Sequence, residues 1–205
     1  MKTFTRICSL LTVALAVCWG PLKAQETCET AVPVECGAFI TSTTAGVAND
    51  NATSGAVACG GGGAVGTGGQ HWYVFTTTEN QTVTASTCGA TTTYDSKIHV
   101  YSGSCGSFSC VTGDDDACVT PGLASIVEFE ALCGETYFIR VGGFGAGSGP
   151  YEFSMTCLPL AIVGCTNPTA CNFNECAISD ESTCCFGNCR TLTVGGGAFQ
   201  GEVSW

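Results

Sequence analysis

Apolar and polar residues alternate one for one through much of the second half of the chain. Val127, Phe129 and Ala131 alternate with Glu128 and Glu130; Tyr137, Ile139 and Val141 with Phe138 and Arg140; Tyr151, Phe153 and Met155 with Glu152, Ser154 and Thr156. A period of two places every second side chain on one face, as in a strand that buries one side. Residues 38–43, 71–77, 81–87 and 96–102 are further strand candidates, each bounded by Gly, Asn or Asp. Stretches with the 3.6-residue spacing of an amphipathic helix are missing. The pattern predicts an all-β fold: an antiparallel β-sandwich of about eight strands over residues 25–157.

The alternation stops at Pro159, and residues 158–164 read as a connector. Six cysteines then crowd into residues 164–189 with almost no large apolar side chains. So small a segment buries too little surface to fold alone, so cross-links or an ion must hold it. Residues 190–205 alternate again, with Leu192 and Val194, then three glycines, then Val203 and Trp205. They read as the start of a further β domain, and the apolar strand end suggests that the gene product continues.

The N-terminus changes the compartment. Lys2 and Arg6 precede an apolar run from Ile7 to Trp19, followed by small-residue cleavage chemistry at Leu22-Lys23-Ala24, so residues 1–24 read as a secretory signal peptide. The run is shorter than the roughly 20 residues that span a bilayer. Val17 before Cys18 argues against a lipid anchor. Removing Cys8 and Cys18 leaves 17 − 2 = 15 cysteines, which in an exported chain read as a disulfide framework in which at least one thiol is free, pairs with another chain or has its partner beyond residue 205. The expected location is secreted or at the cell surface.

Charge narrows the partners. All 17 acidic residues follow the leader, whereas three of six basic ones lie within it, giving the mature chain 3 − 17 = −14. Such a surface repels nucleic acid and anionic lipid and attracts cations. No membrane insertion is expected after cleavage.

Several strings then acquire a joint meaning: Trp72-Tyr73-Val74-Phe75, Ser86-Thr87-Cys88-Gly89, Tyr94-Asp95-Ser96-Lys97-Ile98-His99-Val100-Tyr101-Ser102-Gly103, Gly113-Asp114-Asp115-Asp116-Ala117-Cys118 and Thr136-Tyr137-Phe138-Ile139-Arg140-Val141-Gly142-Gly143-Phe144. In this order the chain resembles the bacterial pre-peptidase C-terminal domain, a jelly-roll-like module related to collagen-binding and carbohydrate-binding sandwiches. Gly164-Cys165-Thr166-Asn167-Pro168-Thr169-Ala170-Cys171-Asn172-Phe173-Asn174 is similar to a short cysteine-rich repeat of marine Bacteroidetes exported proteins. That repeat usually ends in an Asp-Asp-Gly-Ser-Cys-like string; Ser179-Asp180-Glu181-Ser182-Thr183-Cys184 stands there instead, with Cys176 inserted. The resemblance implies an accessory, adhesion or substrate-proximity module within a large exported protein.

The sharpest chemical feature is Asp114-Asp115-Asp116, with Asp95 at the start of another strand. Ca²⁺ takes six to eight oxygens, and clustered Asp carboxylates, carbonyls and water supply them. The same run equally reads as a solvated turn whose carboxylates accept local backbone amides. Tyr94, Phe108 and Phe144 lie beside turn signals and are the candidate ligand-binding aromatics for an extracellular glycan or protein.

Other motifs lead nowhere. Asn49 to Ser54 spaces its oxygens like a calcium loop but lacks the sixth-position glycine and closing Glu, and reads as a plain loop. Gly61-Gly62-Gly63-Ala64-Val65-Gly66 satisfies a dinucleotide fingerprint in letters only, because a strand follows it where a helix is required; it reads as a mobile glycine loop. The two histidines, His71 and His99, lie in strands, without a nucleophile elbow or a zinc-protease pair. The tail lacks Cys-x-x-Cys pairs, which favours disulfides over thiolate metal binding. The expectation is a non-catalytic extracellular binding or adhesion module of an exported bacterial protein, disulfide-stabilised and with calcium as the candidate ion. The alternative is an accessory domain of a secreted peptidase or glycoside hydrolase whose catalytic part lies outside this chain.

Overall fold

The computed structural model describes residues 26–119, 122–180, 182 and 184–187. The leader at 1–24, Cys189 and the hairpin expected at 190–205 lie outside the described residues. Nine strands follow in order: β1 (Val32–Pro33), β2 (Phe39–Thr43), β3 (His71–Thr76), β4 (Gln81–Ser86), β5 (Ser96–Ser104), β6 (Ser107–Asp114), β7 (Ile126–Ala131), β8 (Thr136–Gly143) and β9 (Pro150–Pro159). One α-helical turn, α1 (Asn51–Ser54), occupies the stretch read as a plain loop.

The strands form two sheets, β1-β3-β8-β5-β6 and β2-β9-β4-β7. Leaving aside the short β1, each sheet interleaves early and late strands in the jelly-roll order, so the sandwich closes through long-range pairings. β5 and β6 form the one hairpin within a sheet, in register from Ile98 opposite Asp114 to Ser104 opposite Ser107.

The alternation read from residues 127–131 and 151–156 is the burial pattern of β7 and β9 in the four-stranded sheet, whereas residues 137–141 fall in β8 of the other sheet, buried throughout from Ile139. β7 alternates exposed and buried through all six residues, and Val127, Phe129 and Ala131 face inward with Tyr151, Phe153 and Met155 of β9. These meet Tyr73, Phe75, Ile98, Val100, Ile139 and Val141 from the other sheet in one core. Each such side chain contributes roughly 1.5–3 kcal/mol by leaving water.

The five-stranded sheet is buried on both faces along β3, β8 and most of β5. Residues 44–70 cross its outer side and hide Trp72, Lys97, His99, Tyr101 and Arg140. The covering segment that holds the glycine run expected to be mobile is packed against the sheet at most of its glycines, with Gly63 in open space. A Cβ on Gly60 meets Gly113 N at 2.7 Å, one on Gly68 meets Gly147 O at 2.5 Å, and one on Gly66 collides with Gly143 O. Glycine lets backbone lie on backbone.

Disulfides stitch these layers. Cys59–Cys110 and Cys28–Cys105 tie the covering segments to β6 and its hairpin, Cys36–Cys157 ties the start of β2 to β9, and Cys88–Cys118 joins two loops at one end of the sandwich. Cys165–Cys184 closes the tail on itself, and Cys133–Cys176 anchors it to the β7–β8 turn. Cys171 is disulfide-bonded as well. Six bridges among the described residues accord with an oxidising, extracellular setting. Among the described residues no helix is long and apolar enough to cross a membrane.

Candidate functional site

Antiparallel pairing of β5 with β6 brings the start of one strand beside the end of the other. Asp95 precedes β5, and Asp115 and Asp116 follow β6, so the three meet at one end of the sandwich. Their carboxylate oxygens lie within 4.8 Å of one another. Two oxygens bound to one Ca²⁺ at about 2.3–2.6 Å are at most about 5 Å apart, so the spacing suits a shared ion.

Asp114 behaves differently from its neighbours. Its Oδ2 accepts the amides of Ala117 at 2.9 Å and Ile126 at 3.0 Å, closing the turn after β6, and its carboxylate lies outside the group of three. Ser125 Oγ, 2.6 Å from Ser96 O, 2.9 Å from Asp114 O and 3.0 Å from Asp115 O, donates into these carbonyls and pins the turn against β5. Thr87 Oγ1 accepts the Ser125 amide at 3.0 Å, which adds the β4–β5 loop to the same assembly.

Charge at this end is unevenly met. Lys97 Nζ stands 2.9 Å from Asp115 Oδ2, donates to Gly62 O at 2.9 Å, and lies 4.8 Å from the centre of the Phe144 ring. Asp95 Oδ1 and Asp115 Oδ1 are buried without a hydrogen-bond partner. Burial first, and then the Asp115 and Asp116 charges, hold the Asp95 carboxyl above the usual carboxylate range. One ammonium against this group leaves negative charge for a further cation to neutralise.

The three aromatic candidates part company. Tyr94 hangs over the same end: it lines a groove of about 250 Å³ with Thr92, Thr93 and Leu123, and its hydroxyl lies 3.3 Å from Thr44 Oγ1. Burial pushes its phenol up to about 12. Phe144 joins this end through its amide, which donates to Asp95 O at 3.0 Å, and its ring is 58% exposed. Phe108 lies by the hairpin at the far end of β5, stacked on Trp72 at 5.3 Å and Tyr101 at 5.1 Å. The structure thus gathers Asp95, Asp115, Asp116, Tyr94 and Phe144, and separates Phe108.

A polar layer under the 44–70 segment escaped the sequence reading. Trp72, Arg140 and His99 form one row across β3, β8 and β5. Trp72 Nε1 donates to Asp50 Oδ2 at 2.8 Å; Arg140 Nη2 donates to Asn51 Oδ1 at 3.2 Å and Gly66 O at 3.3 Å. His99 Nε2 donates to Gly63 O at 3.2 Å, and burial together with the Arg140 charge lowers the ring to about 4. A hint was present in the letters: no Asp, Glu, Lys or Arg occurs from Asn51 to Gln70, which suits a segment pressed against a sheet rather than facing water. His71 sits on the core side, with Nδ1 2.6 Å from the Tyr151 hydroxyl, which is 2.7 Å from that of Tyr73.

No family model matches the chain, and no curated protein matches it. Among solved structures the chain is similar to the pre-peptidase C-terminal domain of a collagenase from Bacillus anthracis, with a TM-score of 0.33 and 13% identity, covering 62% of this chain and 94% of that one.

Proposed function

We propose that this chain is a non-catalytic extracellular binding module whose loop end takes a hard divalent cation of the calcium class. The observation that carries this reading is the convergence of Asp95, Asp115 and Asp116 oxygens within 4.8 Å, two of their atoms being buried and unpartnered. A buried carboxylate oxygen without a donor is costly, and a bound cation removes that cost. The ion would also fix the β6–β7 loop against β5, next to the groove beside Tyr94. Ligand contact is then the work of Tyr94 and Phe144, with the cation as a structural support.

Affinity should fall in the range of extracellular calcium modules, a Kd of about 10⁻⁴ to 10⁻³ M. Protons compete with the ion at Asp95, whose carboxyl is held above the usual carboxylate range, so binding tightens as pH rises through that raised value. Calorimetry on the oxidised chain tests this, with Asp95→Asn and Asp116→Asn expected to weaken binding at least about tenfold. The absence of calcium heat up to several millimolar, with chelation leaving the melting temperature unmoved, would refute the reading.

A further inference from the structure

The two outer faces of the sandwich differ in kind. Residues 44–70 roof the five-stranded sheet, whereas the outward side chains of the four-stranded sheet are exposed or half-exposed. Register fixes what that open face displays. One row runs Phe39, Ser154, Ser86, Ile126; the next carries Thr156, Thr84 and Glu128; the next Leu158, Thr82 and Glu130. Glu152 stands opposite Thr41 on the other side of the Phe39 row. The face is therefore a hydroxyl surface bearing three carboxylates, with Phe39 and Leu158 each 68% exposed.

Among the described residues no cation balances it. Among the described residues the basic side chains are Lys97 and Arg140, and both are buried beneath the opposite sheet's covering, at 5% and 0% exposure. A second copy of the face would set six carboxylates against one another, and phosphate or anionic lipid meets the same repulsion. A divalent ion does not suit it either, since Glu128, Glu130 and Glu152 belong to none of the acidic groups close enough to share one among the described residues. Lysine and arginine side chains do fit. Their aliphatic stems lie along Phe39, Leu158 and the threonine methyls while their charged heads reach the carboxylates.

We infer that the outer face of the four-stranded sheet is a docking surface for a lysine- and arginine-bearing polypeptide. Four strands about 4.8 Å apart and six residues long at about 3.4 Å each make a face of roughly 300 Å². That is well below the roughly 800 Å² per partner of a stable complex. Single-site binding is accordingly weak and salt-sensitive, and tight attachment needs several copies or a second contact. The surface is separate from the loop end and requires no bound ion.

The test is an NMR titration of the ¹⁵N-labelled, oxidised chain, in EDTA, with a synthetic ten-residue peptide alternating lysine and threonine. Shift changes are expected on β4, β7 and β9, centred on Thr84, Glu128 and Glu152, and diminishing several-fold as salt is raised to physiological strength. The triple variant Glu128→Gln, Glu130→Gln, Glu152→Gln should bind about tenfold more weakly. A charge-matched variant, Glu29→Gln, Glu79→Gln, Glu175→Gln, should bind within about twofold of the parent, with thermal melts verifying that both are folded. Shifts scattered over the whole surface with equal loss in the control, shifts confined to the loop end, or no shifts at millimolar peptide would each overturn the inference. EDTA separates it from the cation reading, which can fail or stand independently.

Discussion

Arg140 and Lys97 are the basic side chains of the described residues, and the fold buries both, beside His99 and beneath a glycine-rich covering. His99 pays for its neighbours in proton affinity: burial and then the Arg140 charge hold it near 4, with Lys97 adding to the effect. An unfolded histidine titrates near 6.5. Between these values the unfolded state binds the proton and the folded state does not, so this stabilisation is complete above about 6.5 and is lost as pH falls towards 4. His71, also lowered by burial, acts in the same direction. Asp50 and Asp95, both raised chiefly by burial, act oppositely, their contribution being lost as pH rises through their elevated values. Comparing variants isolates the histidine term: the parent should lose melting temperature faster than His99→Gln between pH 6.5 and 4.5. Equal slopes in the two thermal melts would remove His99 from the account.

At the scale of elements, the covering segment holds because its glycines let main chain touch main chain. Gly66→Ala forces a Cβ into Gly143 O and should cost about 2–3 kcal/mol, whereas Gly122→Ala, with open space around it, should be near neutral. Urea unfolding of the two variants reads the difference. This packing was not legible in the chain, since a glycine run looks alike whether it is loose or pressed against a sheet. The strands with one wet face, β7 above all, were legible because period two and burial coincide there. By contrast, β6 was missed: Ser107 to Asp114 shows no sustained alternation of apolar and polar residues, and only Gly113 is buried along it. The same limit applies to the loop end. Four aspartates stood out as candidates, but only the turn geometry reveals that Asp114 is committed to the Ala117 and Ile126 amides. The separation of Phe108 from Phe144 likewise depends on the hairpin at 104–107: turn letters flank both rings, but only the pairing of β5 with β6 places them at opposite ends.

For the whole molecule, covalent bridges and charge work together. The bridges span from 19 to 121 residues, so the unfolded chain is heavily constrained and the folded one tolerates a surface with little but negative charge. Among the described residues, Cys133–Cys176 is the bridge that joins the tail to the sandwich. The double variant Cys133→Ser, Cys176→Ser should leave the sandwich's cooperative melt in place while exposing residues 160–164 to limited proteolysis. If cleavage there is no faster than in the parent, the tail is held by other contacts. The arrangement as a whole reads as a rigid frame presenting two separate anionic surfaces, one concentrated at the loops and one spread over a sheet. The loop end is tested most directly by anomalous diffraction from crystals of the oxidised chain grown with calcium chloride. A peak should lie about 2.3–2.6 Å from oxygens of Asp95, Asp115 and Asp116. Crystals in which that position shows no anomalous signal, with Lys97 alone facing Asp115, would contradict the account.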